Sequence, residues 1–308
     1  VDHEKRDSVI SGTATIESSK GPWQLTFRTE DSERSDIVHV AATVEDLVPS
    51  AIAPIAADLD LLNMFDTPIT GELDLDLSNS GQLITADLSL SVGAGFIRLL
   101  STPFMLDSGQ LGLRYDAETR RLDLRASTFD WSGSRITLTG AMQSDPAQVG
   151  EPQWHFAVRS VEGVFSAKEF GVAAIPIDGL EAMGRIIPGE GLVQLSGLKL
   201  DVGGGSVSIN GDIIGGSDHP STRVEATMSP MPLKTLKAMW PRAAAPAARD
   251  WVGAQVERAS LQSASLKVLS GRFLEAETES DTTESGEPAA PESNERISAR
   301  IEIADLRM

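Results

Sequence analysis

The chain contains no cysteine, which removes disulfide staples, thiolate nucleophiles and cysteine-ligated zinc and leaves the redox compartment open. Aromatic residues make up 5% of it, with a single tyrosine, too few for the stacking platforms on which single-stranded nucleic acids lie. Positive charge is also scarce. Against 45 Asp and Glu stand 26 Lys and Arg, a formal charge of -19, so the phosphate neutralisation behind nucleic-acid affinity is missing and no nucleic-acid partner is expected. No apolar run approaches the roughly 18 residues that cross a bilayer as a helix. The N-terminal Val1-Asp-His-Glu-Lys-Arg6 lacks the basic-then-apolar order of a signal peptide. The chain opens without methionine, runs straight into the strand-like Ser8–Ile16 and stops at Met308 just after another such run. Both ends predict a piece of something longer, with an anchoring segment elsewhere.

Catalytic signatures are equally sparse. His3, His39, His155 and His219 are scattered, with no H-E-x-x-H pair and no cysteine to complete a metal site. There is no G-x-S-x-G elbow for a serine nucleophile. Most carboxylates alternate with apolar residues, as solvated strand faces do, rather than pairing for acid-base work. The glycines of Gly203-Gly-Gly205 and Gly211 fit neither dinucleotide nor P-loop spacing, and the residues after them alternate as a strand where a phosphate loop needs a helix N-terminus. The chain is therefore expected to be no enzyme, with no metal and no cofactor.

What the sequence does have is period-2 alternation. Leu73, Leu75 and Leu77 share one face of their segment, and Glu72, Asp74 and Asp76 share the other, the signature of a strand with one wet face. The pattern returns at Leu88/Leu90, Leu122/Leu124, Ile136/Leu138, Leu198/Leu200/Val202, Val207/Ile209, Leu266/Val268 and Ile301/Ile303. Turn residues punctuate it at Ser78–Gly81, Asp107–Gly109, Asp116–Thr119, Trp131–Gly133 and Gly203–Gly205. Sequential hairpins of this kind predict a mainly β chain: a long, curled antiparallel meander sheet forming an apolar groove, with a few short helices. Too few helical runs exist for βαβ crossovers.

The expected organisation is a strand block over 1–44, a helical crossing over 45–65 broken by Pro49 and Pro54, a β-groove block over 66–229, a helix-kink-helix over 230–259, and terminal strands over 260–308. A further helix is expected around Ala167–Ala174. Within the last block, 275–294 is acidic and lacks large apolar residues, so a disordered insertion between paired strands is expected.

Leu61–Leu83 resembles the helix-to-strand re-entry of bacterial AsmA-like proteins. Met231–Trp240-Pro241 followed by Arg249-Asp-Trp251-Val is similar to the Trp-Pro and Arg-x-Trp-Val element of the large AsmA-like envelope proteins of the YhdP type. The resemblance implies a repeating β-groove with an aliphatic concave face, anchored in the inner membrane by an N-terminal helix outside this piece and spanning the periplasm of a Gram-negative bacterium. It implies transport of phospholipid toward the outer membrane, both membranes being reached through parts of the chain absent here, with envelope proteins as possible partners. On this reading acyl chains would meet Leu73, Leu75, Leu77, Leu88, Leu90, Leu122, Leu124, Leu198, Leu200, Val207 and Ile209. A sheet apolar on one side must cover that side, with a ligand or with a second layer closing an ordinary sandwich; both stay open at this stage. So does a structural or chaperone-like module that assists outer-membrane protein assembly through an exposed strand edge. An extracellular β-solenoid adhesin fits the Trp240–Trp251 element poorly and lacks short uniform repeats.

Overall fold

A computed structural model describes residues 8–31, 36–52, 62–98, 104–144, 153–167, 172–215, 221–239, 246–256, 258–277 and 295–307. The chain is mainly β and builds one large antiparallel meander sheet of 16 strands with a few short helices. Its strands are β1 (Ser8–Ser18), β2 (Gly21–Asp31), β3 (Ile37–Leu47), β5 (Ile69–Ser78), β6 (Leu83–Val92), β9 (Ser108–Asp116), β10 (Arg121–Trp131), β11 (Ser134–Ser144), β12 (Trp154–Ala167), β13 (Val172–Ile187), β14 (Leu192–Val202), β15 (Gly205–Ile214), β16 (Ser221–Met228), β17 (Met231–Pro232), β18 (Arg258–Ser270) and β19 (Glu295–Arg307). Neighbours in sequence are neighbours in the sheet, except that β3 pairs β5, β6 pairs β9, and β16, β17 and β19 all pair β18. A second, three-stranded sheet joins β4 (Phe65–Asp66), β7 (Gly95–Ile97) and β8 (Phe104–Leu106).

The chain divides into two compact units. One holds β1 to β10 with the C-terminal part of β11, and the other holds the start of β11 and β12 to β19.

Turn chemistry explains the hairpins. Ser132 and Gly133, then Gly203 and Gly204, take positive φ at both central positions, the mirror-image turn whose twist matches antiparallel strands. Asp116 closes the β9–β10 turn by accepting the Thr119 N–H at 2.8 Å. Asp107–Gly109 is different: it carries the chain from the small sheet into β9 and is no hairpin turn. Where the ladder shifts register, hydroxyls accept the orphaned backbone N–H groups, as general accounting of buried donors requires. Ser127, fully buried beside the shift in β10, accepts from Gly112 at 3.0 Å. Ser160, in the stretch of β12 between its two runs of pairing with β13, accepts from Leu180 at 2.8 Å.

Among the described residues, helices are fewer and shorter than the sequence suggests. Of 45–65, residues 45–47 complete β3, Pro49–Ala51 form a single 3-10 turn, 62–64 form another, and 53–61 lie outside the described residues. The helix expected at Ala167–Ala174 is absent among the described residues, since Ala167 ends β12 and β13 starts at Val172. β-branched and aromatic residues around it satisfy cross-strand pairs such as Phe165 with Ile175, and pairing of that kind outweighs weak local helix propensity. The helix-kink-helix does form its two helices, α1 (Leu233–Met239) and α2 (Pro246–Gln255). Trp240 and Pro241, expected at the kink, lie outside the described residues. Of the stretch 275–294 expected to be disordered, 275–277 instead complete a helical turn over 272–277 on the hydrophilic side of β16 and β18. Its Phe273 ring sits 5.0 Å under the Arg223 guanidinium. Its Glu277 accepts from Lys267 at 2.6 Å and also pairs with Arg296, a pairing that holds the Glu277 carboxyl below its usual pKa. Residues 278–294 lie outside the described residues.

Candidate functional site

The register of the sheet places the expected apolar residues in rows, because residues paired across a sheet share a face. In the first unit one row crosses seven strands: Gly12, Phe27, Ala42, Leu73, Leu88, Leu113 and Leu124. A second holds Ile10, Thr29, Val40, Leu75, Ala86, Tyr115 and Leu122, and a third Ala14, Leu25, Val44, Gly71, Leu90 and Leu111. Leu77 continues the same face opposite Val38 and Leu83. Six strand spacings of about 4.8 Å make a full row about 29 Å long.

The second unit repeats the arrangement. Val158, Ala182, Leu198, Ile209, Ala226, Leu266 and Ala299 form one row; Leu180, Leu200, Val207, Met228 and Ala264 form its neighbour. Gly203-Gly204 is the turn that brings Leu198 opposite Ile209 and Leu200 opposite Val207.

Cover differs between the two. Leu73, Leu75, Leu77, Leu88, Leu90, Leu122 and Leu124 are all half-buried, shielded by their row neighbours but roofed by no element among the described residues. Leu200 and Val207 are buried, because Met231 and α1 lie over them. An added Cβ on Gly205 would stand 2.4 Å from the Met231 Cβ, and one on Gly203 2.6 Å from the Thr235 Oγ1. Thr235 itself donates to the Gly203 carbonyl at 3.0 Å. Leu233, Leu236, Val202, Ile175, Ile177 and Leu261 complete this small core. Leu198 and Ile209, one row further out, return to half-burial.

The position of α1 also fixes curvature in the second unit. It touches β12 and β13 and also β18, strands five spacings or about 24 Å apart along the sheet. Seven helical residues are only about 10 Å long, so the sheet wraps around α1 with its apolar face inside.

The opposite face is charged and internally paired. His39 Nδ1 meets Asp76 Oδ1 at 2.6 Å and Thr85 donates to Asp76 Oδ2 at 2.7 Å; the Thr85 hydroxyl first, then His39, lower the Asp76 pKa. Arg125 reaches Asp87 at 2.6 Å and the Leu113 carbonyl at 3.2 Å. An open concavity of about 650 Å³ on this side is lined by Thr43, Glu72, Ser89, Gln110 and Arg125 among others. Its one arginine is already committed to Asp87. No group of three potential metal ligands occurs among the described residues. The leucine rows, continuous and uncovered, are the stronger candidate for a binding surface.

Of the motif residues, Arg249 is buried on α2 and Trp251 is exposed beside it. The rows were legible by alternation, whereas Phe27, Leu111, Leu113 and Tyr115, which complete them, escaped notice; the alternation of Leu111, Leu113 and Tyr115 is the signal that would have found three of them. No family model, curated protein or solved structure matches the chain.

Proposed function

We propose that the chain is a non-enzymatic segment of a bridge-like protein that carries phospholipid between the inner and outer membranes of a Gram-negative envelope, its tails held on the apolar face. The observation that carries this reading is the set of uncovered rows in the first unit. An apolar surface seven strands wide is unstable in water unless something covers it. Its length of about 29 Å matches the thickness of a bilayer's hydrocarbon core, room for two tails end to end. Each methylene removed from water contributes up to about 0.8 kcal/mol, so a tail can be held without a charged anchor. Aliphatic side chains suit the task because disordered tails demand no stacking geometry, and near-equivalent rows offer near-equivalent positions along which a tail can move. The Trp-Pro and Arg-x-Trp resemblance supports the same reading independently. The charged outer face keeps so much β-surface in solution.

The test is native mass spectrometry of the purified chain with Leu75→Asp, Leu88→Asp and Leu124→Asp combined. The wild-type chain is expected to co-purify with phospholipid. The variant should carry at least about tenfold less, because desolvating even one carboxylate against a tail costs more than 1.4 kcal/mol. Its circular dichroism should stay that of the wild type, since these positions border solvent in the unliganded chain. Lipid-free wild-type protein, or a variant loaded as heavily as the wild type, would overturn the proposal.

A further inference from the structure

The small sheet extends three strands of the first unit. Two residues separate β4 from β5 and β6 from β7, and one separates β8 from β9; the order β4-β7-β8 repeats the order β5-β6-β9. At its base Gly95 pairs with Leu106 and lies against Thr67, and Leu106 and Thr67 are fully buried. Further out Asp66, Phe96 and Met105 pair across the three strands, and Phe65, Ile97 and Phe104 form the outermost row. Here exposure rises to 42% at Phe96, 53% at Met105, 38% at Phe65 and 40% at Phe104. Successive rows point to opposite faces, so both faces of the tip show apolar side chains, whereas a sheet packed on one side keeps the other polar. Three of the chain's nine phenylalanines sit in these short strands.

Two cations meet beside them. Arg98, and Lys20 from the β1–β2 turn, stand 3.0 and 3.1 Å from the half-buried Asp66 carboxylate, to which Ser50 donates at 3.3 Å. Both cations stay exposed, and two of them on one carboxylate leave a positive excess in a chain of charge -19.

We infer that this tip docks on the surface of a phospholipid bilayer, with Phe65, Phe96, Phe104 and Met105 in the boundary between headgroups and acyl chains and Lys20 and Arg98 on lipid phosphates. A protein groove covers one face of so small a sheet; a bilayer boundary surrounds a tip on both. Long cationic side chains suit the rim, since their stems lie along apolar surface while their heads remain in water. The depth also fits. From base row to outermost row is two residues, about 7 Å, within the roughly 5–10 Å to which interfacial elements sink. Deeper insertion is excluded, because an open three-stranded sheet leaves edge backbone groups that hydrocarbon cannot satisfy. The negative charge elsewhere on the chain is screened beyond about 8 Å at physiological salt. Docked in this way, the leucine rows of β5, β6 and β9 lie one kink from the leaflet, so a tail can pass onto them without crossing open water. The inference adds a membrane contact to the tail-carrying reading and is tested apart from it.

The chain has no cysteine, so a single label can report position. An environment-sensitive dye on Met105→Cys should shift to the blue when the full chain meets vesicles of phosphatidylethanolamine with a minority of phosphatidylglycerol. The same dye on Ser89→Cys, on the charged face of β6, should not. In flotation with these vesicles, Phe96→Ser combined with Met105→Ser should lower the bound fraction at least about tenfold, and Lys20→Gln combined with Arg98→Gln should lower it several-fold. Circular dichroism and the lipid content of the vesicle-free chain should be the same in both variants as in the wild type. The chain carrying Leu75→Asp, Leu88→Asp and Leu124→Asp should still shift the Met105→Cys dye, so docking and tail carriage can fail separately. Docking is overturned by a wild type that does not float, by equal dye shifts at the two positions, by a Phe96→Ser, Met105→Ser chain that floats like the wild type, or by loss of the dye shift in the leucine variant. A shift that grows with protein concentration and needs no vesicle would overturn it too, since a second copy would then be covering the tip.

Discussion

At the scale of single residues, hydroxyl groups accept backbone N–H groups at several breaks and ends of the sheet's ladder. Ser127, Ser134, Ser160, Ser229 and Ser270 each accept a backbone N–H at 2.8 to 3.0 Å. Ser127 also donates to the Arg125 carbonyl at 2.8 Å, so both halves of its hydroxyl are in use within a fully buried site. Ser127→Ala should therefore leave the Gly112 N–H without a partner and cost about 1–3 kcal/mol, visible as a lower urea midpoint with an unchanged slope. Alternation cannot reveal these roles, because a serine that repairs a register shift and one that faces solvent look alike in a polar-apolar pattern. Leu73, Leu75 and Leu77 were legible for the converse reason: their alternation is unbroken and their partners are in register.

Elements show the same division. Strands with clean alternation, such as β5, β6 and the β14–β15 hairpin, could be read directly. β12 and β13 could not, since register shifts and Gly163, Pro176 and Gly179 disturb the period that marks a strand. The small sheet of β4, β7 and β8 is made of pieces too short for any periodicity to register. α1 was visible as a helix from its apolar spacing, but its placement depends on the Gly203-Gly204 turn, where only glycine leaves room for Thr235. That turn, which from its composition could have been taken for a phosphate site, is a socket for a helix. Leu236 is buried, so Leu236→Ala should open a cavity beneath α1 and cost about 2–4 kcal/mol. Calorimetry would show the loss as a lower Tm. Lipid loading of the first-unit rows should be unaffected, which separates the role of α1 from that of the leucines.

At the scale of the whole molecule, the meander makes every long strand depend chiefly on its immediate neighbours. Removing β1 and β2 together should leave the remainder folded, with β3 as the new edge and each first-unit row shorter by two strands. Circular dichroism of such a deletion is expected to keep its β signal per residue, while lipid capacity falls. Order in the sheet also has a meaning in time. Among the described residues every long strand pairs with the long strand made just before it, so each can dock as soon as it is synthesised and sheet growth need not wait for distant parts of the chain.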